Sequence, residues 1–214
     1  MFTAVATLIQ VVLDTILPRK ERVVRIDLYS LEDIPVSPQE HEMCGVQIIT
    51  LTQYRNRAVE DLIRALKYDK SGHAAKLLAG ALEEYLREEI ANLKAFSTKP
   101  IVLIPVPLHS SRQRERGFNQ VEKVLQNLPH EFKDGTMSSI DSKSLIRTRA
   151  TPQQTRLSRS ERLRNVAGAF ALAKAPENAH IILIDDVTTT GATLSQAAKP
   201  LRELSFSLLA LAHA

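Results

Sequence analysis

Two carboxylates and a run of hydroxyls, Asp185-Asp186-Val187-Thr188-Thr189-Thr190-Gly191-Ala192-Thr193, follow directly on four apolar residues, Ile181 to Ile184. An apolar run of this length reads as a strand buried on both faces, the pattern of a parallel sheet. The acids then stand at its carboxyl end, where open α/β sheets hold their ligands. A hydroxyl-rich turn with a glycine, placed just ahead of a helix start, aims backbone N–H groups and threonine hydroxyls at one point. Phosphate is the ligand such a turn takes. Carboxylates do not serve the same phosphate, so Asp185 and Asp186 must face another part of the ligand: the vicinal hydroxyls of a sugar, or a metal ion. A ribose 5-phosphate satisfies both halves of the pattern.

Arginine supplies the second chemical signal. The chain carries a formal net charge of +4, and the excess is local. Arg112, Arg114 and Arg116 form one cluster, and Arg147, Arg149, Arg156, Arg159, Arg162 and Arg164 another. Guanidinium forks bind phosphate oxygens bidentately, although a charge run is also the ordinary signature of a solvated face. Other chemistries find no support. Six histidines are scattered without metal-ligand spacing, and one cysteine, Cys44, makes neither a disulfide nor a four-ligand zinc site. No G-x-x-x-x-G-K-[ST] or G-x-G-x-x-G loop is present to carry a triphosphate or a dinucleotide.

The elements that must hold these residues follow from periodicity. Residues 1–17 read as an amphipathic helix stopped at Pro18, and 19–44 as a polar, irregular stretch. Strands are expected at Val46–Leu51, Ile101–Val106, Leu145–Thr148, Ile181–Ile184 and Leu208–Leu211. Helices are expected at Ala58–Tyr68, His73–Leu93 and Phe118–Leu128, after Gly191, and from a Ser158-x-x-Glu161 capping box to Asn165. Residues 130–144, rich in serine and carrying Gly135, read as a mobile loop, and Pro200 should kink or shorten the last helix. Alternating strands and helices define an α/β fold with a parallel sheet flanked by helices. Nothing approaches the length of a membrane span. The single cysteine fits a reducing, cytoplasmic setting.

Acid-acid followed by Thr-Thr-Gly-x-Thr after an apolar strand resembles the phosphoribosyl pyrophosphate (PRPP) loop of type I phosphoribosyltransferases. Three further segments narrow the resemblance to the ComF family of competence-associated proteins within that superfamily. Ile104-Pro105-Val106-Pro107-Leu108-His109 is similar to the family's first-strand loop, and Arg116-Gly117-Phe118-Asn119-Gln120 to its RGFNQ signature. Arg149 to Phe170 follows its R-x-T-x-x-Q run, through Thr151, Gln154, Leu157, Glu161, Arg162 and Asn165. Leu66-Lys67-Tyr68 is also family-like, though it equally suits the solvent end of a core helix.

The resemblance, which covers roughly residues 45–214, implies a type I phosphoribosyltransferase fold with residues 1–44 as a small N-terminal appendage. It implies binding of PRPP with Mg²⁺ and transfer of the phosphoribosyl group to a nitrogen acceptor, releasing pyrophosphate. The 5-phosphate falls to Thr188, Thr189, Thr190, Gly191, Ala192 and Thr193, and the ribose hydroxyls to Asp185 and Asp186. Pyrophosphate falls to Val106, Pro107, Arg112 and Arg116. Asp185, Asp186 and Arg116 are the implied catalytic groups, and Arg147, Arg149, Thr151, Gln154 and Arg156 a closing loop. Mg²⁺ is expected to arrive with PRPP, with no dedicated protein ligands. Many members carry an N-terminal zinc ribbon after a helix ending in proline; here Arg19 and Lys20 stand where its cysteines would begin, so zinc is expected to be absent. The alternative expectation is a non-catalytic PRPP- or nucleotide-binding accessory in competence and DNA uptake, touching single-stranded DNA or its helicase and recombination machinery.

Overall fold

The computed structural model describes residues 21–109, 113–114, 117–149 and 166–214. The expected N-terminal helix over 1–17 and the capping-box helix over 158–165 lie outside them.

A six-stranded sheet forms the centre, in the order β1-β2-β8-β7-β3-β4. Its strands are β1 (Gln39–Met43), β2 (Val46–Gln53), β3 (Ile101–Pro105), β4 (Ser139–Ile140), β7 (His180–Thr188) and β8 (Ser205–His213). Every neighbouring pair is parallel except β1 and β2, an antiparallel hairpin at one edge. A separate antiparallel pair joins β5 (Leu145–Arg147) to β6 (Phe170–Leu172).

Helices cover both faces of the sheet, as parallel strands require. Successive residues of the central strands alternate between two apolar clusters. Leu103, Ile182, Ile184 and Leu209 face α2 (Arg57–Tyr68), α3 (Gly72–Phe96) and α4 (Gln120–Gln126). Ile104, Ile181, Leu183 and Ala210 face α5 (Ala192–Ala198) and the β5–β6 pair. All four residues Ile181 to Ile184 are essentially inaccessible, which explains the unbroken apolar run.

Residues expected to be irregular are partly ordered. Within 19–44 the chain forms α1 (Glu21–Ile26), a short 3-10 turn at Leu31–Asp33 and the edge strand β1. The boundary drawn after residue 44 falls in the turn of the β1–β2 hairpin. There Cys44 and Gly45 have φ of 53° and 74°, the left-handed pair that tight hairpins use. An ion pair ties α1 to α2. Arg25 Nε and Nη2 donate to the two carboxylate oxygens of Asp61 at 2.6 and 2.9 Å, and the Tyr29 hydroxyl donates to the same group at 3.1 Å. The guanidinium beside Asp61 holds its carboxyl below the usual range. Residues 130–144 are not simply a loop: they hold a 3-10 turn around the fully buried Phe132 and strand β4 on β3. Helix α5 stops at Ala198, and a 3-10 turn, Lys199–Leu201, takes up Pro200.

The topology fixes where a ligand can sit. From β3 the chain leaves through α4, on one face, to β4 at the edge. From the adjacent β7 it leaves through α5, on the other face, to β8. Neighbouring strands whose connections part in this way leave a crevice at their carboxyl ends.

Candidate functional site

Two loops bound that crevice, one after β3 and one after β7. The first is held from both sides. Val106 N donates to Ile184 O at 2.8 Å, and Asn119 Nδ2 donates to Val106 O at 2.9 Å. The same Asn119, buried, caps α4 by accepting from Val121 N and Glu122 N. One side chain of the Gly117-Phe118-Asn119-Gln120 segment therefore sets both the helix start and the loop above β3. Val106 is buried, while Pro107, Leu108 and His109 are partly open.

The second loop runs from Thr188 to Thr193. Gly191, buried, begins α5 at φ +74°, and a Cβ there would stand 2.5 Å from Met43 Cβ and 3.0 Å from Ile48 Cδ1. Only glycine fits both the left-handed backbone and the approach of the hairpin. That hairpin also grips the loop chemically: the Cys44 thiol donates to Thr190 O at 2.9 Å, and Ser195 Oγ donates to Cys44 O at 3.3 Å. Thr188 O accepts from Ala214 N at 2.9 Å. Among the described residues, the amides of Thr190, Gly191 and Ala192 donate to no backbone carbonyl. Thr189 is exposed, and Thr190 and Thr193 are half-buried.

Asp185 and Asp186 do not end their strand as the sequence suggested: β7 runs on to Thr188 because β8 stays paired with it to His213. Consecutive strand residues alternate sides, so the two acids belong to opposite faces. Asp186 takes the α2 face, where Lys67 Nζ, in the last turn of α2, lies 3.0 Å from its Oδ2. Asp185 takes the face of β5, and its Oδ1 accepts from Asp186 N at 2.9 Å. Burial, reinforced by the Asp186 charge, pushes the Asp185 carboxyl up to about 7; the Asp186 N–H and the charges of Lys67 and Arg147 pull the other way without overcoming it.

Of the arginines, Arg147 belongs to β5 rather than to a loop, with its guanidinium carbon 5.2 Å from the centre of the Phe170 ring. Arg149 Nη2 donates to Ala167 O at 2.8 Å. Arg112, Arg116, Thr151, Gln154 and Arg156 lie outside the described residues. Sequence reasoning did not anticipate the grip of Met43 and Cys44 on the turn, the double role of Asn119 or the pairing of Lys67 with Asp186. The Met43, Cys44 and Lys67 contacts join residues more than a hundred positions apart, which no local pattern signals, and Asn119 reaches back 13 positions to Val106. Among the described residues, no group of three or more His, Cys, Asp or Glu could hold a metal ion, and no helix is long and apolar enough to cross a membrane.

Parallel strands covered on both faces, with acids and a glycine turn at the parting of two crossovers, define an α/β protein of the open-sheet, crevice-binding kind. Curated relatives narrow the class. The DNA utilization protein YhgH of Escherichia coli (strain K12) is 31% identical over 155 residues, 72% of this chain and 64% of that protein. Competence protein F of Haemophilus influenzae is 33% identical over 146 residues, 67% of this chain and 61% of its own length. Competence protein ComFC of Streptococcus pneumoniae is 30% identical over 148 residues, 69% of this chain and 59% of that one. The chain belongs to the ComF family, and it spans less than two thirds of the length of these relatives. No protein-family profile matches it. A solved hypoxanthine phosphoribosyltransferase from Staphylococcus aureus superposes with a TM-score of 0.31 at 15% identity, over 67% of this chain and 63% of that one; so slight a likeness carries no weight.

Proposed function

We propose that the crevice above β3 and β7 binds PRPP together with its Mg²⁺, and that the protein transfers the phosphoribosyl group to a nitrogen nucleophile. The observation that carries this reading is the joining, at one topological switch point, of the Gly191 turn and the acid pair 185–186. The turn from Thr188 to Thr193 takes the 5-phosphate, with the amides of Thr190, Gly191 and Ala192 and the threonine hydroxyls as donors. Asp186 accepts from a ribose hydroxyl. Asp185, whose carboxyl holds its proton up to about pH 7, donates to or accepts from the neighbouring one. Pyrophosphate falls to the loop at Pro105-Val106-Pro107, and the charges of Arg112 and Arg116, outside the described residues, are assigned to it by residue type.

In the transfer, the bond from the anomeric carbon to oxygen breaks and pyrophosphate leaves with the electron pair. The acceptor nitrogen then supplies the pair for the new C–N bond and loses a proton to water. Positive charge develops on the ribose, so the protein's part is positioning, electrostatics and exclusion of water. No nucleophile is needed. Mg²⁺ prefers phosphate, hydroxyl and water oxygens; it is carried on the pyrophosphate as part of the substrate and neutralises the leaving group.

The test is pyrophosphate release from Mg–PRPP with a panel of nitrogen acceptors, beside titration calorimetry with PRPP alone. The variant Asp185→Asn with Asp186→Asn is expected to abolish release and to weaken PRPP binding about tenfold or more, the scale of charge-assisted hydrogen bonds. Release that persists in that variant ends the transferase reading.

The relatives' names favour a second reading, in which PRPP binding is regulatory and the protein serves DNA uptake without catalysis. Its expectation is salt-sensitive binding of a single-stranded oligonucleotide that changes when PRPP is added. Affinity indifferent to PRPP removes it.

A further inference from the structure

Lys67 brings its charged group directly onto an acid of the pair, and it comes from an element far from the strand that carries them. Its side chain, 20% exposed, places the ammonium 3.0 Å from Oδ2 of Asp186, whose side chain is 16% exposed. Helix α2 is rigidly placed to deliver it. The Asn56 carboxamide caps the helix by accepting from Ala58 N and Val59 N. Val59, Leu62, Ile63 and Leu66 are buried against the sheet, and the Arg25–Asp61 pair pins the same helix from outside. The last turn of α2 also places a cation at the negative end of the helix, where it is favoured. An ion pair this enclosed is poor evidence for stability, because desolvation offsets much of its attraction. A role at the crevice accounts for its position better.

We infer that Lys67 is a positioning residue for the ligand: it holds the Asp186 carboxylate on the α2 side of β7, so that the two acids approach a vicinal diol from opposite sides of the strand. The inference rests on the sugar-binding reading above and adds to it a residue from outside the loops. Two features support the division of labour. The backbone alternates the acids onto opposite faces, and on the α2 side Lys67 supplies the contact that can fix the rotamer of Asp186. Asp185, by contrast, is already held by the Asp186 N–H. The positive charge also lowers the repulsion between the two carboxylates, letting both stay near one ligand.

The phosphate half of the ligand provides the control. The turn at Thr188–Thr193 is built by β7, α5 and the β1–β2 hairpin, elements other than the α2 that carries Lys67. Loss of Lys67 should therefore damage recognition of the hydroxyls and spare recognition of the phosphate. The experiment measures affinity for ribose 5-phosphate and for 2-deoxyribose 5-phosphate by calorimetry, on the wild-type chain and on Lys67→Met, Lys67→Gln and Lys67→Arg. The wild type is expected to prefer ribose 5-phosphate. Lys67→Met and Lys67→Gln are expected to lose that preference about tenfold, the cost of a misplaced charge-assisted hydrogen bond, with 2-deoxyribose 5-phosphate affinity nearly unchanged. Lys67→Arg, which can still reach a carboxylate, should recover most of it. Equal weakening for both sugars, or an unchanged preference in folded Lys67→Gln, overturns the inference and leaves the site reading standing. A wild-type chain that binds neither sugar phosphate overturns the site reading itself, and this inference with it.

Discussion

Replacing Asp185 with asparagine should make the protein more stable while it damages the site. The carboxyl moves from an ordinary value of 3.8 to about 7 on folding, chiefly through burial and then through the Asp186 charge. An acid whose pKa rises on folding binds more protons in the native state than in the unfolded chain between those two values. Stability therefore falls as pH climbs through that window, and the whole cost is present above about pH 7. At ~1.4 kcal/mol per unit the ceiling is about 4 kcal/mol. Asparagine removes the burial penalty of the charged form and the repulsion from Asp186 together, but its own amide must be desolvated in the same place, so a gain of about 2 kcal/mol is expected at pH 8. Asparagine keeps the oxygen that accepts from Asp186 N, so the strand end is not disturbed. For a chain of this length, 2 kcal/mol corresponds to a Tm about 4–8 °C higher. Calorimetric melts of both proteins at pH 8 and pH 4.5 provide the assay. The variant should be ahead at pH 8 and nearly level at pH 4.5. A variant less stable at pH 8, or ahead by the same margin at both pH values, would refute the assignment of a strained, proton-holding acid at this position.

Two other substitutions probe the loops on either side. Gly191→Ala places a methyl 2.5 Å from Met43 Cβ at a φ of +74° and is expected to cost about 2–4 kcal/mol in urea unfolding, the sum of left-handed backbone and overpacking; a cost under 1 kcal/mol would mean the hairpin does not clamp the turn. Asn119→Ala removes both the α4 cap and the donor to Val106 O, for about 2–3 kcal/mol. Asn119→Ser keeps a capping oxygen and loses the donor to Val106 O without adding charge, so urea unfolding should place it between the wild type and Asn119→Ala, and equal losses in the two variants would show that the cap contributes nothing.

How far the sequence could be read depends on the range of the forces involved. Ile181 to Ile184 announced a strand covered on both faces, and it is one, because an all-apolar run leaves no side that water could occupy. The continuation of β7 through Asp185, Asp186, Val187 and Thr188 was not legible, since polar residues there look like a strand's end. Pairing with β8 as far as His213 overrides that local signal. Strand β1 was hidden for a related reason: Gln39-Glu40-His41-Glu42-Met43 is polar because it lies at the sheet edge, where little needs burying. The order of apolar strand, acid pair and glycine turn over Ile181–Thr193 was legible from local types and spacing, and a Gly191 turn does begin α5 there. The contacts that hold it, Met43 and Cys44 on the turn and Lys67 on Asp186, were not, because they join residues far apart in the chain.

The same distinction explains why a strand carries its two acids side by side. Neighbours on a loop could both turn toward one ligand oxygen, but they would also repel each other across a short and adjustable gap. Neighbours on a strand are forced to opposite faces, and each then meets its own surroundings: an ammonium from α2 for Asp186, and a drier, β5-facing site for Asp185. Identical side chains thereby acquire different surroundings without any difference in sequence chemistry. A diol, which presents two neighbouring oxygens that can each donate and accept, is matched by one carboxylate held from α2 and a second carboxyl that burial pushes up. If that is why the strand does not stop at Ile184, then inserting a glycine between Asp185 and Asp186 should abolish sugar recognition even though both acids, Lys67 and the glycine turn all remain in the chain.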